Sequence, residues 1–162
     1  MAGLRELNEA PADQARAILS RACGSSRWVD RMMARRPFAS DAKLLFVARN
    51  EWFGLTEPDW LEAFAAHPRI GERQTGARWS ADEQSGVGAA GAAVLEELDS
   101  LNRAYQEKHG FIFIVCATGK SAREMLELLG ARLGTSRAEE IRTAAEEQAQ
   151  IVELRLRKLV MA

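Results

Sequence analysis

The 162-residue chain predicts an all-α fold: a single compact multi-helix domain over 1–162, with about seven or eight helices. Three observations carry this. Apolar residues recur three and four positions apart along most of the chain. Capping and breaking residues bracket those stretches at helix-sized intervals. One run alone, Phe111-Ile112-Phe113-Ile114-Val115-Cys116-Ala117, is rich in the β-branched and aromatic residues that favour extended chain.

Residues 11–22 carry Ala12, Ala15, Ile18, Leu19 and Ala22 at helical spacing, with Pro11 near the start and Gly24 past the end. Residues 26–35 carry Trp28, Met32 and Met33 until Pro37 interrupts them. Ser40 or Asp41 caps the next helix, where Leu44, Leu45, Val47 and Ala48 lead to Trp52 and Phe53. Thr56-Glu57-Pro58-Asp59 opens another, with Trp60, Leu61, Phe64 and Ala65 facing inward and His67-Pro68 closing it. Residues 71–79 are polar, contain Gly71 and Gly76, and read as a loop.

A long stretch from Ser80 to His109 follows. Its Gly86, Gly88 and Gly91 each cost about 1 kcal/mol in a helix interior. Val94, Leu95, Leu98, Leu101 and Tyr105 restore the helical period, and Gly110 ends it. The segment 111–117 is then a single extended stretch with no strand to pair with. Its backbone groups must find other partners. Helices over 120–132 and 137–160 finish the chain.

Composition narrows function. The chain has 22 basic and 23 acidic residues, a net charge of −1 that offers nucleic acid or an anionic membrane no electrostatic attraction. Cys23 and Cys116 match no metal-ligand spacing and suit a reducing compartment. No signal core or membrane-length apolar run is present, so a cytoplasmic location is expected.

Four places could carry chemistry. His67, one of two histidines, precedes Pro68, which disfavours helix at the residue before it. An imidazole at such a junction is suited to proton transfer near neutral pH, although it can equally be a solvated helix terminator. Ser80-x-x-Glu83 reads as a capping box, yet a carboxylate in a first helical turn, beside free amides, can also face an anionic ligand. Arg155 shares a stripe with Ile141, Ala144, Gln148 and Ile151. It is either a planar clamp for a carboxylate or ureido group or a side chain reaching solvent. Thr118-Gly119-Lys120-Ser121 lacks the earlier glycine of a phosphate loop, because Ile114 occupies that position; it reads as a glycine turn before a helix.

His67-Pro68-x-Ile70-Gly71, Ser80-x-x-Glu83-Gln84, Tyr105-x-x-Lys108-x-Gly110-Phe111-x-Phe113-Ile114, Gly119-Lys120-Ser121 and Ile151-x-x-Leu154-Arg155-Leu156 occur in this order. Together with Pro37-Phe38 at an early helix junction, they resemble 2-oxo-4-hydroxy-4-carboxy-5-ureidoimidazoline (OHCU) decarboxylases, over nearly the whole chain. The resemblance implies decarboxylation of OHCU to (S)-allantoin in urate breakdown, by a homodimer that uses no metal or organic cofactor. It implies a catalytic set of His67, Glu83 and Arg155. Pro68, Ser80 and Gln84 correspond to pocket residues, and Phe113, Ile114, Val115, Cys116 and Ala117 to a pocket wall whose backbone contacts the ligand. Two positions depart from the pattern: Arg69, where aspartate often follows His-Pro, and His109, where an aromatic usually precedes Gly110-Phe111. A helical interaction module without catalysis, or a decarboxylase of another small ureide, are the rival readings.

Overall fold

The computed structural model describes residues 3–69 and 91–161. Among them are eight α-helices and no strand: α1 (Leu4–Glu9), α2 (Ala12–Ala22), α3 (Ser26–Arg35), α4 (Asp41–Phe53), α5 (Glu57–Ala65), α6 (Ala92–His109), α7 (Ala122–Leu133) and α8 (Arg137–Val160). The all-α expectation stands. The expected loop over 71–79, the Ser80–Gln84 motif and the Gly86–Gly88 stretch lie outside the described residues. The short α1 has no counterpart in the sequence reading; Leu7 is its one buried residue.

The expected capping residues are in place. Ser40 Oγ accepts from the Lys43 amide at 3.1 Å, and Asp59 Oδ2 accepts from the Thr56 amide and hydroxyl at 3.2 and 2.9 Å. Ser121 caps α7, its Oγ accepting from the Glu124 amide at 3.1 Å, just after Gly119 turns with φ +79°. The Thr118–Ser121 stretch is therefore a glycine turn leading into a helix cap. Expected inward faces hold with exceptions: in α5, Phe64 and Ala63 are buried while Ala65 is exposed.

The chain divides into two compact units, residues 1–66 with 148–162 and residues 67–147. The first unit contains α1–α5 and the second half of α8. Trp28 and Trp52 are fully buried there, and Trp28 Nε1 donates to the Ala48 carbonyl at 3.0 Å, locking α3 to α4. Asn8 exchanges two hydrogen bonds with the Phe38 backbone, at 2.9 and 2.8 Å, beside the cis Arg36–Pro37 bond. Gly24 is required by close approach: a Cβ there would stand 2.6 Å from that of Ala66.

The second unit contains α6, α7, the first half of α8 and the 111–117 segment. Gly110 caps α6 with φ +82°, the left-handed conformation that glycine adopts without a Cβ clash. The chain then runs through Phe111–Ala117 as neither helix nor strand, with Phe113–Ala117 all buried.

Candidate functional site

His67 lies outside α5. The helix ends at Ala65, Ala66 keeps helical angles as its cap, and His67 follows, half-buried, ahead of Pro68. This is the outcome expected from proline's effect on the residue before it. Arg69 then reaches α6: its Nε donates to Gln106 Oε1 at 3.1 Å, with a second bond from Nη2. One of the two departures from the family pattern thus anchors the His67-Pro68 junction to the helix that leads into the 111–117 segment.

That segment is held by side chains instead of by a neighbouring strand. Arg132 Nη1 donates to the Ile114 carbonyl at 2.6 Å. Lys120 Nζ donates to the Cys116 carbonyl at 2.8 Å, and Glu147 Oε1 accepts from the Cys116 amide at 3.4 Å. The backbone groups of Phe113 and Val115, between these anchored positions, make no hydrogen bond among the described residues. Such alternation is what extended chain produces when one edge is tied down. It refines the expectation that the whole segment offers free backbone groups: the Ile114 carbonyl and the amide and carbonyl of Cys116 are committed to the protein.

Behind the segment is a buried polar cluster that sequence reading missed. Glu140 Oε1 accepts from Arg132 Nε and from the Tyr105 hydroxyl, both at 2.7 Å, and Glu140 Oε2 accepts from Thr135 Oγ1 at 2.6 Å. Arg132 also covers the Phe113 ring at 4.6 Å. Burial raises the pKa of Glu140. Hydrogen bonds from Thr135, Tyr105 and Arg132, with the guanidinium charge, outweigh it, and the carboxyl is held below its usual range. Burial raises the Tyr105 hydroxyl, which therefore stays a donor. A clue existed in the sequence: Ala122, Met125, Leu129 and Arg132 lie at helical spacing and are all buried, so an arginine sits on an apolar stripe.

His109, the other departure, is 1% exposed. Its ring packs, tilted by 57°, against Tyr105 at 4.5 Å and lies 6.2 Å from Phe111, so the imidazole takes an aromatic's place. Burial lowers its pKa against the opposing charge of Glu140.

Arg155 is half-buried on the second half of α8, in the first unit, whereas Ile141, Ala144, Gln148 and Ile151 of its stripe are buried. Its charge opposes the effect of burial, which dominates and pushes the Cys23 thiol up to about 12. Cys23 and Cys116 are both free and buried. Ser80, Glu83 and Gln84 lie outside the described residues. No group of three or more His, Cys, Asp or Glu side chains suited to a metal ion occurs among the described residues. None of the described helices is long and apolar enough to cross a membrane.

Among solved structures, the architecture matches an OHCU decarboxylase crystallised in the presence of (S)-allantoin, with a TM-score of 0.80 and 36% identity over 88% of this chain and 96% of that one. It also matches an (S)-allantoin synthase at TM-score 0.74; there the identity is 20%, and the likeness is one of fold, over 98% of this chain and 54% of that one. The fold class is that of these all-helical proteins. Residues 8–157 match the family described as OHCU decarboxylase, and the chain belongs to that family. An Arabidopsis thaliana uric acid degradation bifunctional protein is 41% identical over 145 residues, which are 85% of this chain and 44% of that protein. An OHCU decarboxylase from Halalkalicoccus jeotgali is 29% identical over 98% of this chain and 92% of its own length. The chain thus spans under half of the plant relative and nearly all of the haloarchaeal one.

Proposed function

We propose that this chain decarboxylates OHCU to (S)-allantoin. The observation that carries the reading is the family match over residues 8–157, which includes the His67-Pro68 junction, the 111–117 segment and Arg155.

The chemistry needs no electron sink beyond the substrate. The bond between C4 and its carboxyl group breaks, releasing CO2, and the electron pair enters the ring as a C4=C5 double bond, displacing the C5=N pair onto nitrogen, which takes up a proton. The C4 hydroxyl then becomes the carbonyl as its proton leaves, and C5, which bears the ureido group, takes up a proton on one face. The protein must fix the ring, turn the carboxylate out of its plane and deliver that proton stereospecifically. His67 carries the proton, as an imidazole that can both accept and donate one. Arg155 clamps a carboxylate or ureido group through its planar fork. Glu83 orients the substrate hydroxyl or His67, with Pro68, Ser80 and Gln84 shaping the pocket. On the 113–117 wall, the backbone groups of Phe113 and Val115, without hydrogen bonds among the described residues, are suited to read the edges of a ureide ring.

The test is turnover of freshly generated OHCU, followed by CO2 release and by circular dichroism of the product. OHCU also decays spontaneously, so the expected result is both a faster rate and an excess of (S)-allantoin. Racemic product at the spontaneous rate overturns the proposal. Glu83→Gln separates the two readings of that residue. A capping role alone is retained by glutamine, so activity survives; a substrate role predicts a loss of about 10²-fold or more.

The same resemblance supports a homodimer in the cytoplasm, with the ureide as the only ligand and no nucleic acid partner. Sedimentation of the purified chain at twice its monomer mass is the expected outcome.

A further inference from the structure

Resting on the decarboxylase reading, we infer that Arg132, Glu140 and Tyr105 are positioning residues for the reaction, a buried network that sets the main chain of residues 113–115 against the substrate. Arg132 has one function in each direction. Its Nε is fixed by Glu140 at 2.7 Å and its Nη1 holds the Ile114 carbonyl at 2.6 Å, while its plane covers the Phe113 ring. Glu140 is itself fixed from two further sides, by Tyr105 at 2.7 Å and Thr135 at 2.6 Å. Glu140 is 1% exposed and the Arg132 side chain 11%.

Stability alone does not account for such a pair. A buried ion pair is commonly no more stabilising than apolar side chains of the same volume, since both charges must leave water. Apolar residues at 105, 132 and 140 would hold α6, α7 and α8 together just as well. They could not fix the position and direction of a single peptide carbonyl. The carbonyl held is that of Ile114, directly between Phe113 and Val115, whose backbone groups make no hydrogen bond among the described residues. Any movement of Ile114 moves both. A ligand read by backbone groups depends on their placement to within a fraction of an ångström, because main-chain donors cannot change rotamer to follow it.

Arg132→Lys and Tyr105→Phe test this in the full-length enzyme. Lysine keeps the charge beside Glu140 but cannot form the fork to both Glu140 and Ile114. Phenylalanine keeps the ring packed against His109, Phe111 and Phe113 and removes only the hydroxyl. Arg132→Lys is expected to raise KM about tenfold, and Tyr105→Phe about threefold, with kcat changed less than about twofold in each. Lys108→Met serves as the structural control: it removes another bond to the end of α7, from Lys108 Nζ to the Leu133 carbonyl, without touching the 111–117 segment. It should lower the melting temperature and leave KM unchanged. A KM for Arg132→Lys within twofold of wild type overturns the inference. So does an equal rise in KM for Lys108→Met at a matched loss of melting temperature. A wild-type protein without stereospecific turnover instead overturns the decarboxylase reading, and this inference with it.

Discussion

The two histidines of the chain stand at the ends of two helices, and the two ends are built differently. At the end of α5, a proline stops the helix and leaves His67 half-buried, outside the helical hydrogen-bond ladder. At the end of α6, a left-handed glycine stops the helix, and His109 remains its last residue, buried against Tyr105 and Phe111. The first arrangement keeps part of the imidazole accessible, as the proposed proton transfer requires. The second uses an imidazole as a flat ring and keeps it neutral by burial. The same residue type thus stands half-buried past the end of one helix and fully packed at the end of the other, and the proposed chemistry of His67 rests on that difference.

The largest expected effect breaks the chemical side of this contrast. His67→Ala should remain folded and lose about 10²–10⁴-fold in stereospecific formation of (S)-allantoin. Near-normal turnover would make His67 as structural as His109. Next in size, Gly110→Ala should cost about 1–2 kcal/mol, because alanine must take up the φ of +82° found there. Chemical denaturation measures this, and an unchanged midpoint would show that the α6 terminus does not depend on its glycine.

The smallest effect concerns pH. The pKa of His109 is lowered from its ordinary 6.5, so the unfolded chain binds a proton before the folded one does. Stability should therefore fall as pH drops below about 6.5, with a further loss below about 4.5, where Glu140 behaves in the same sense. His109→Phe keeps the aromatic contacts and removes the first of these losses. Its melting temperature should change less between about pH 7 and pH 5 than that of wild type. An identical pH dependence in the two proteins would take His109 out of the account.

Much of this was legible in sequence because it is local. Ser40, Thr56, Ser121 and Gly110 mark helix ends by chemistry confined to a single turn, and the structure places caps at all four. Pro68 turning His67 out of its helix is equally local. The six-residue α1 was missed because it is too short to show a period, with Leu7 its only buried residue. The Arg132–Glu140–Tyr105 network was missed for a different reason. Its members are 8 and 35 residues apart, and nothing in a linear pattern states that a buried arginine on one helix will meet a glutamate on the next and a tyrosine on a third element. The stripe of Ala122, Met125, Leu129 and Arg132 indicated that an arginine needed a partner without indicating which one. The side-chain supports of the 111–117 segment were anticipated only as a necessity: unpaired backbone needed partners, and Arg132, Lys120 and Glu147 turned out to supply them at Ile114 and Cys116.

Gly24 gives this fold an unexpected lever. A methyl group at position 24 would press on Ala66 at 2.6 Å, and Ala66 is the residue covalently joined to His67. Alanine has no rotamer with which to yield, so the end of α5 would have to move as backbone. A position more than forty residues away in sequence therefore presses on the residue that a single peptide bond joins to the imidazole-bearing one. A side chain at position 24 is therefore felt first at the end of α5, where the chain leaves the helix just before His67.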